Sequence, residues 1–232
     1  MPIIYDNKMK VALVCIAKNE DSYIDEWVDY HLPLGFDQIF VYENDWRCQN
    51  DKVVKIQWPG EAMQIPAYNH FIQNYKEFDW VAFLDVDEFL VLKKHSNVKE
   101  FIKDYKDYPS ISINWVLFGD GGLEFTGDYS VMKRFTKHQK GVNVHVKVIV
   151  NLHQDIWMES PHHTNRYATD TNFKIVVGPF NPSGDNCTAQ INHYFCKTRE
   201  EFEQKRLRGM ANFGYGRIRD KSDFDQHNFN DE

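Results

Sequence analysis

The sequence has four cysteines, Cys15, Cys48, Cys187 and Cys196, and no two of them stand in a C-x-x-C spacing. They do not make a zinc site, and a disulfide framework is out of keeping with a chain of 232 residues. Reduced, buried cysteines in a cytosolic protein are the expectation. Basic charge is also short: 27 Lys and Arg against 34 Asp and Glu leave a net charge of −7. A general nucleic-acid binder needs a basic face to release phosphate counterions, so that class is set aside. A small phosphorylated ligand is not, provided that a metal or a few local cations neutralise it. Long apolar runs are missing too. Met9 to Ala17, with Lys8 and Lys10 before Val11–Ala17, mimics a short signal sequence but is too short for the ~20 residues of a membrane span. It passes directly into Lys18, Asn19, Glu20 and Asp21, so a buried strand explains it better. No internal repeat and no low-complexity linker interrupts the chain.

What is there suits one globular domain with a soluble surface: 42% hydrophobic, 15% aromatic and 26% charged residues. Val11 to Ile16 reads as a parallel strand covered on both faces. After the polar turn Ala17-Lys18-Asn19-Glu20, Ser22 to Asp25 suggests a capping box. Ile24, Trp27, Val28, His31 and Leu32 then follow at helical spacing, and Pro33 and Gly35 end that helix. Gln38–Tyr42 and Val53–Ile56 read as strands, about Ile65–Phe78 as a helix, and Trp80–Leu84 as a buried strand stopping at Asp85. This alternation predicts an open α/β sheet whose ligands bind outside the carboxyl ends of the strands. Beyond about residue 108 the texture changes, with strands expected at Ile111–Phe118, Val144–Val150 and Ile191–Phe195 between polar loops. A helix is expected over Thr198–Arg208, opened by a Thr-Arg-Glu-Glu cap. The last dozen residues, rich in Asp and Asn, are expected to fray. The organisation expected is a single domain over residues 1–232. It has a nucleotide-binding half to about 107, an acceptor-binding half over about 108–210, and a tail over 211–232.

The segment Val81–Leu90 carries the most chemistry. Asp85 and Asp87 stand two residues apart directly after an apolar strand, where the ligand crevice of such a sheet lies. Hard divalent cations such as Mg²⁺ and Mn²⁺ take one or two carboxylates plus substrate phosphates, and an ion there would neutralise a diphosphate leaving group. The spacing alone also fits a solvated acidic turn.

Several segments together make the pattern more specific. Lys18-Asn19-Glu20, Glu26-Trp27-Val28-Asp29-Tyr30-His31, Leu34-Gly35-Phe36-Asp37 and Leu84-Asp85-Val86-Asp87-Glu88-Phe89 occur in order. Trp115–Gly119, Lys147–Val150, Ile191–Thr198, Glu200-Glu201-Phe202, Lys205 and Arg208-Gly209 follow. Over residues 10 to 210 this series resembles glycosyltransferase family 2 and family 92-type sequences. The resemblance implies a GT-A fold: an open mixed α/β sheet with helices on both faces, as one nucleotide-diphospho-sugar-binding domain. It implies transfer of a sugar from a nucleotide-diphosphate donor, with UDP the expected carrier, to an acceptor hydroxyl of a glycan, lipid or protein. The cofactor it implies is Mn²⁺ or Mg²⁺. Asp87 is expected to bind the ion directly, and Asp85 to contact the ribose or the ion through water.

By position, Lys18, Asn19 and Glu20 should line the nucleotide pocket, and Glu43 and Asn44 could hydrogen-bond the base; an ordinary polar turn is the alternative. Gln64 could reach the ribose, or be merely a polar residue at a helix start. Lys147, on an otherwise apolar strand, suggests a phosphate partner, with a solvent-facing lysine of an edge strand as the alternative. His162 and His193 are candidate further metal ligands, against structural histidines. An inverting enzyme, the outcome expected, needs a general base. Asp120 between Gly119 and Gly121 is the candidate, although relatives of this kind carry small hydroxyl residues after the Phe-Gly. A nucleotidyltransferase also uses a strand-end acidic pair, but its Gly-rich basic loop after the first strand is missing. A non-catalytic carbohydrate-binding or scaffold protein is the remaining alternative.

Overall fold

A computed structural model describes residues 9–127, 130–209 and 218–232. Ten strands form one open sheet among these residues. They are β1 (Val11–Ala17), β2 (Gln38–Glu43), β3 (Val54–Gln57), β4 (Trp80–Phe83), β5 (Glu88–Leu92), β6 (Ser110–Leu117), β7 (Val146–Asn151), β8 (Ala168–Thr169), β9 (Ile175–Val176) and β10 (Ala189–His193). The order across the sheet is β3-β2-β1-β4-β7-β6-β10-β5, with β8 beside β6 and β9 beside β8. β1 pairs in parallel with both β2 and β4, whereas β7 runs antiparallel to β4 and β6, so the sheet is mixed.

Alternation along β1 explains the layers. Val11, Leu13 and Cys15 pack with Ile24, Trp27 and Val28 of α1 (Ile24–His31) and with Val98, Phe101 and Ile102 of α3 (Val98–Lys103). Ala12, Val14 and Ile16 face the other way, onto Ala67, Tyr68, Phe71 and Ile72 of α2 (Gln64–Asn74). A strand buried on both faces must be apolar throughout, which is why Val11–Ala17 reads as a continuous run. The open mixed sheet with helices on both faces is therefore as expected, and consistent with a GT-A-like fold. Three further short helices lie among the described residues: α4 (Val131–Arg134), α5 (Arg199–Leu207) and α6 (Ser222–His227). Among the described residues no helix is long and apolar enough to cross a membrane.

Several local expectations need correction. Ser22 caps nothing: a turn closed by the Glu20 carbonyl delays the helix, Tyr23 becomes the N-cap without a side-chain bond, and Asp25 accepts from Asn50 instead. The Thr198 box is real, with Thr198 Oγ1 accepting from the Glu201 amide and the Glu201 carboxylate accepting from the Thr198 amide. Gly35, at φ 92°, takes the left-handed turn that ends the first helical segment. α2 stops at Asn74, four residues early, because Tyr75 leaves the helical region to stack on Phe71. β5 and α3 were not anticipated. The C-terminal residues do not fray where they are described: Phe224 of α6 is buried against Cys196 and Phe202. Beyond α6 the chain straps across the 118–122 loop, where Asn228 and Asn230 accept from the Asp120 and Gly121 amides. A side chain at Gly119 would overlap the Phe229 carbonyl and the Asn230 amide. Residues 210–217, which include the start of the expected tail, lie outside the described residues.

Candidate functional site

β1, β4, β6 and β10 end around a cleft of about 590 Å³, a volume in the range of small-molecule sites. Lys18 and Glu20 line it after β1, Asn44 after β2, and Gln64 at the start of α2. Asp85 and Asp87 line it after β4, with His162 and His193 from the second half of the chain. The structure thus brings together eight of the residues singled out in the sequence. Asn19, Glu43, Lys147 and Asp120 are not on the cleft wall. Asn19 turns the chain with a left-handed φ of 53°, and Glu43 is buried with a carboxylate oxygen accepting from the Cys48 amide. Asp120 belongs to the strapped loop, its carboxylate accepting from the Gly122 amide and the Asn230 side chain.

Lys147 is neither on an edge strand nor facing solvent. It lies on β7, between β4 and β6, and is 1% exposed. Its ammonium is 2.9 Å from Asp85 Oδ2 and 3.1 Å from Glu88 Oε2, so it is a counter-ion set beneath the acidic turn. Burial works to raise the Asp85 pKa, but the Lys147 charge holds that carboxyl below its ordinary value. Gln64 Nε2 donates to Asp85 Oδ1 at 2.8 Å, fixing the second oxygen. Glu88, fully buried, accepts from the Asp85 amide at 2.8 Å, and burial pushes its carboxyl up to about 8 despite Lys147.

Asp87 is held from the other side. Lys205 of α5 contacts its Oδ2 at 2.5 Å, and His193 Nε2 lies 3.7 Å from the same oxygen. Burial opposes ionisation here as well, yet the charge of Lys205 first, and then the contact with His193, keep Asp87 well below the carboxylate range. Burial in turn pushes Lys205 down to about 8 and His193 down to about 4. His162 is pushed down to about 3 by burial and by Lys147. Its Nδ1–H donates to the Val146 carbonyl at 2.9 Å, leaving Nε2 as the lone-pair nitrogen. Trp115 lies between the imidazoles, 4.2 Å from His193 and 4.9 Å from His145 by ring centroids. Among the described residues His193 Nδ1 and Trp115 Nε1 are buried without a hydrogen-bond partner.

The donor set fits a hard divalent ion in part. Two carboxylates and a neutral imidazole are ligands that Mn²⁺ accepts. Among the described residues, however, no three His, Cys, Asp or Glu side chains converge tightly enough to hold an ion alone. Substrate phosphates would have to supply the remaining ligands, as they commonly do for Mg²⁺ and Mn²⁺.

The family model of glycosyltransferase family 92 matches residues 52–181, more than half of the chain and including the acidic turn. The chain belongs to glycosyltransferase family 92. A family 92 protein of Ricinus communis is 24% identical over 230 residues, covering 89% of this chain and 38% of that protein. One of Arabidopsis thaliana is 23% identical with the same coverage. One of Oryza sativa subsp. japonica is 24% identical over 119 residues. The chain spans about 38% of the length of the first two relatives.

For this family 92 chain, sequence reasoning assigned no role to three cations of the cleft. Lys205 and Arg208 lie three residues apart at the end of α5, a helical spacing that places both on one face. Arg208 pairs with Glu20 and donates to the Lys18 carbonyl, tying the helix to the first turn of the site. Arg219, before α6, carried no signal in the sequence at all.

Proposed function

We propose that the protein is a metal-dependent glycosyltransferase that moves a sugar from a nucleotide-diphosphate donor, UDP-linked, to an acceptor hydroxyl of a glycan, lipid or protein. One observation carries this reading: Asp85 and Asp87 stand on the wall of the cleft at the carboxyl end of β4, each with a buried lysine behind it. The lysines keep both carboxyls ionised in a site where burial alone would protonate them. Lys147 and Gln64 fix the Asp85 rotamer, so one oxygen edge is presented to ribose or to a metal-bound water without reorganisation. Asp87 and His193 would hold Mn²⁺ or Mg²⁺. The ion supplies charge neutralisation for the departing diphosphate. Asn44, whose side-chain amide donates to the Trp58 and Gly60 carbonyls, shapes the base end of the cleft. An inverting reaction would draw its base from a carboxylate of the cleft, such as Asp223, rather than from Asp120, which the strap holds away from it.

The Asp87–Lys205 contact favours a second reading, in which the ammonium stands in for the ion and donor binds without metal. Thermal melting against UDP, GDP and CDP sugars, each with Mn²⁺ and with EDTA, separates the readings. A ligand that binds only the native state raises the melting temperature by mass action. A rise with one nucleotide only when Mn²⁺ is present, lost in Asp87→Ala, is the expected result. A rise that survives EDTA transfers the role to Lys205. No rise with any donor at millimolar concentration overturns the nucleotide-sugar reading.

A further inference from the structure

Part of the cleft wall is built by α5 and by residues 218–219 just before α6, and it carries three cations. Lys205, Arg208 and Arg219 all line it. Lys205 is spoken for by Asp87 and Arg208 by Glu20. Arg219 is different. Among the described residues no carboxylate lies within ion-pair distance of it, and its hydrogen bond is a long one, 3.4 Å from Nη1 to the Gly209 carbonyl. A guanidinium has five N–H donors in a planar fork. One long bond leaves most of that fork unused on a half-buried side chain.

Its position is nevertheless held. The guanidinium carbon lies 5.9 Å from the centroid of the Phe195 ring, against which His227 also packs at 4.4 Å. Three residues later α6 begins, anchored by buried Phe224. Burial, followed by the charge of Arg208, lowers the Arg219 pKa, while Asp87, Asp85 and Asp223 oppose that shift. A like-charged pair gathered beside a cleft costs free energy, which an anion bound between them would offset. The acidic pair that faces it is already neutralised by lysines of its own.

We propose that Arg219 is a phosphate-binding residue of the donor site, its free guanidinium edge receiving the diphosphate of a nucleotide sugar in bidentate contact. This inference rests on the nucleotide-sugar reading and deepens it. Planar, bidentate recognition of phosphate oxygens is the use for which arginine is suited and lysine is not. Lys205 and Arg208, three residues apart and each paired with a cleft carboxylate, give the wall its remaining positive charge. The diphosphate would thus be met by fixed cations of the chain on one side and, through the ion held by the acidic turn, on the other.

The test compares UDP with uridine, which lacks the phosphates, by calorimetry in EDTA and again in Mn²⁺. Wild-type protein, Arg219→Gln and Arg219→Lys are titrated. Loss of a bidentate charge-assisted contact predicts that Arg219→Gln weakens UDP about 10- to 100-fold and leaves uridine unchanged. Arg219→Lys recovers part of the UDP affinity through charge without the fork. Equal UDP affinity in wild type and Arg219→Gln overturns the inference while leaving the donor reading intact. Equal loss of UDP and uridine also overturns it, since the wall would then be merely structural. Failure of the wild type to bind UDP, GDP or CDP removes the donor reading itself.

Discussion

Replacing Lys147 by methionine keeps most of the apolar stem of the side chain and removes its charge from a place that water cannot reach. The lysine is 1% exposed and stands between Asp85 and Glu88 at 2.9 and 3.1 Å. Breaking a buried ion pair by deleting one partner costs about 3–5 kcal/mol, because the other charge is left uncompensated. Two features place this site toward the lower figure. Glu88, already pushed up to about 8, can take a proton, and Asp85 keeps the Gln64 bond and a side chain 34% exposed. A loss of about 3 kcal/mol is expected, equivalent to roughly 6–12 °C in melting temperature at this chain length. Chemical denaturation of the wild type, Lys147→Met, Asp85→Asn and the double variant measures it as a cycle. The double variant should be more stable than the sum of the single losses by at least about 1 kcal/mol, because the orphaned charge is gone. A single-variant loss below about 1 kcal/mol, or strict additivity, would refute the account of Lys147 as the counter-ion of the acidic turn.

Gly119→Ala places a methyl group where the Phe229 carbonyl and Asn230 amide now lie; overpacking of about 1–3 kcal/mol is expected. Faster proteolysis within 228–232 reports displacement of the strap, and unchanged protection would show that it does not depend on Gly119. His31 donates through Nδ1 to the Trp27 carbonyl and accepts the Leu90 amide at Nε2, and burial pushes it from 6.5 to about 3. The unfolded chain therefore takes up this proton below pH about 6.5 while the folded one does not, so stability is full above that pH and falls toward pH 3. His162 and His193, lowered to about 3 and about 4, act in the same direction. In His31→Gln the fall between pH 6 and 4 should be shallower by about 1.4 kcal/mol per pH unit; parallel curves for variant and wild type would refute it.

The parts of this fold that could be read in advance are those where one force dominates. β1 and β4 are buried on both faces and are apolar throughout, and the Thr198 cap needs only its own four residues. β5 was missed because its apolar run follows the acidic turn within a residue, and its partner β10 is distant in the chain. α6 reads as part of a fraying tail because Asp and Asn are frequent over the last dozen residues; only the burial of Phe224 against Cys196 and Phe202 shows otherwise. At the site, carboxylates at strand ends were legible because topology places them. Lys147 was noticed as odd on its strand but given the wrong surroundings, since strand order decides whether a lysine meets solvent or a counter-ion. Arg219 was invisible, because its place depends on the docking of α6 and on no local pattern.

The acidic turn joins two strands that do not pair with one another. β4 lies beside β1 and β7, whereas β5 lies across the sheet beside β10, so residue 88 finds residue 193 and residue 80 finds residue 151. Such distant pairings must close long loops before they are rewarded, which slows folding. During synthesis, β4 can pair with β1, already made, but its other edge and β5 must wait for β7 and β10, made much later. Until then the unpaired edges on either side of the unfinished turn are the surface that a holdase chaperone would recognise on a nascent chain.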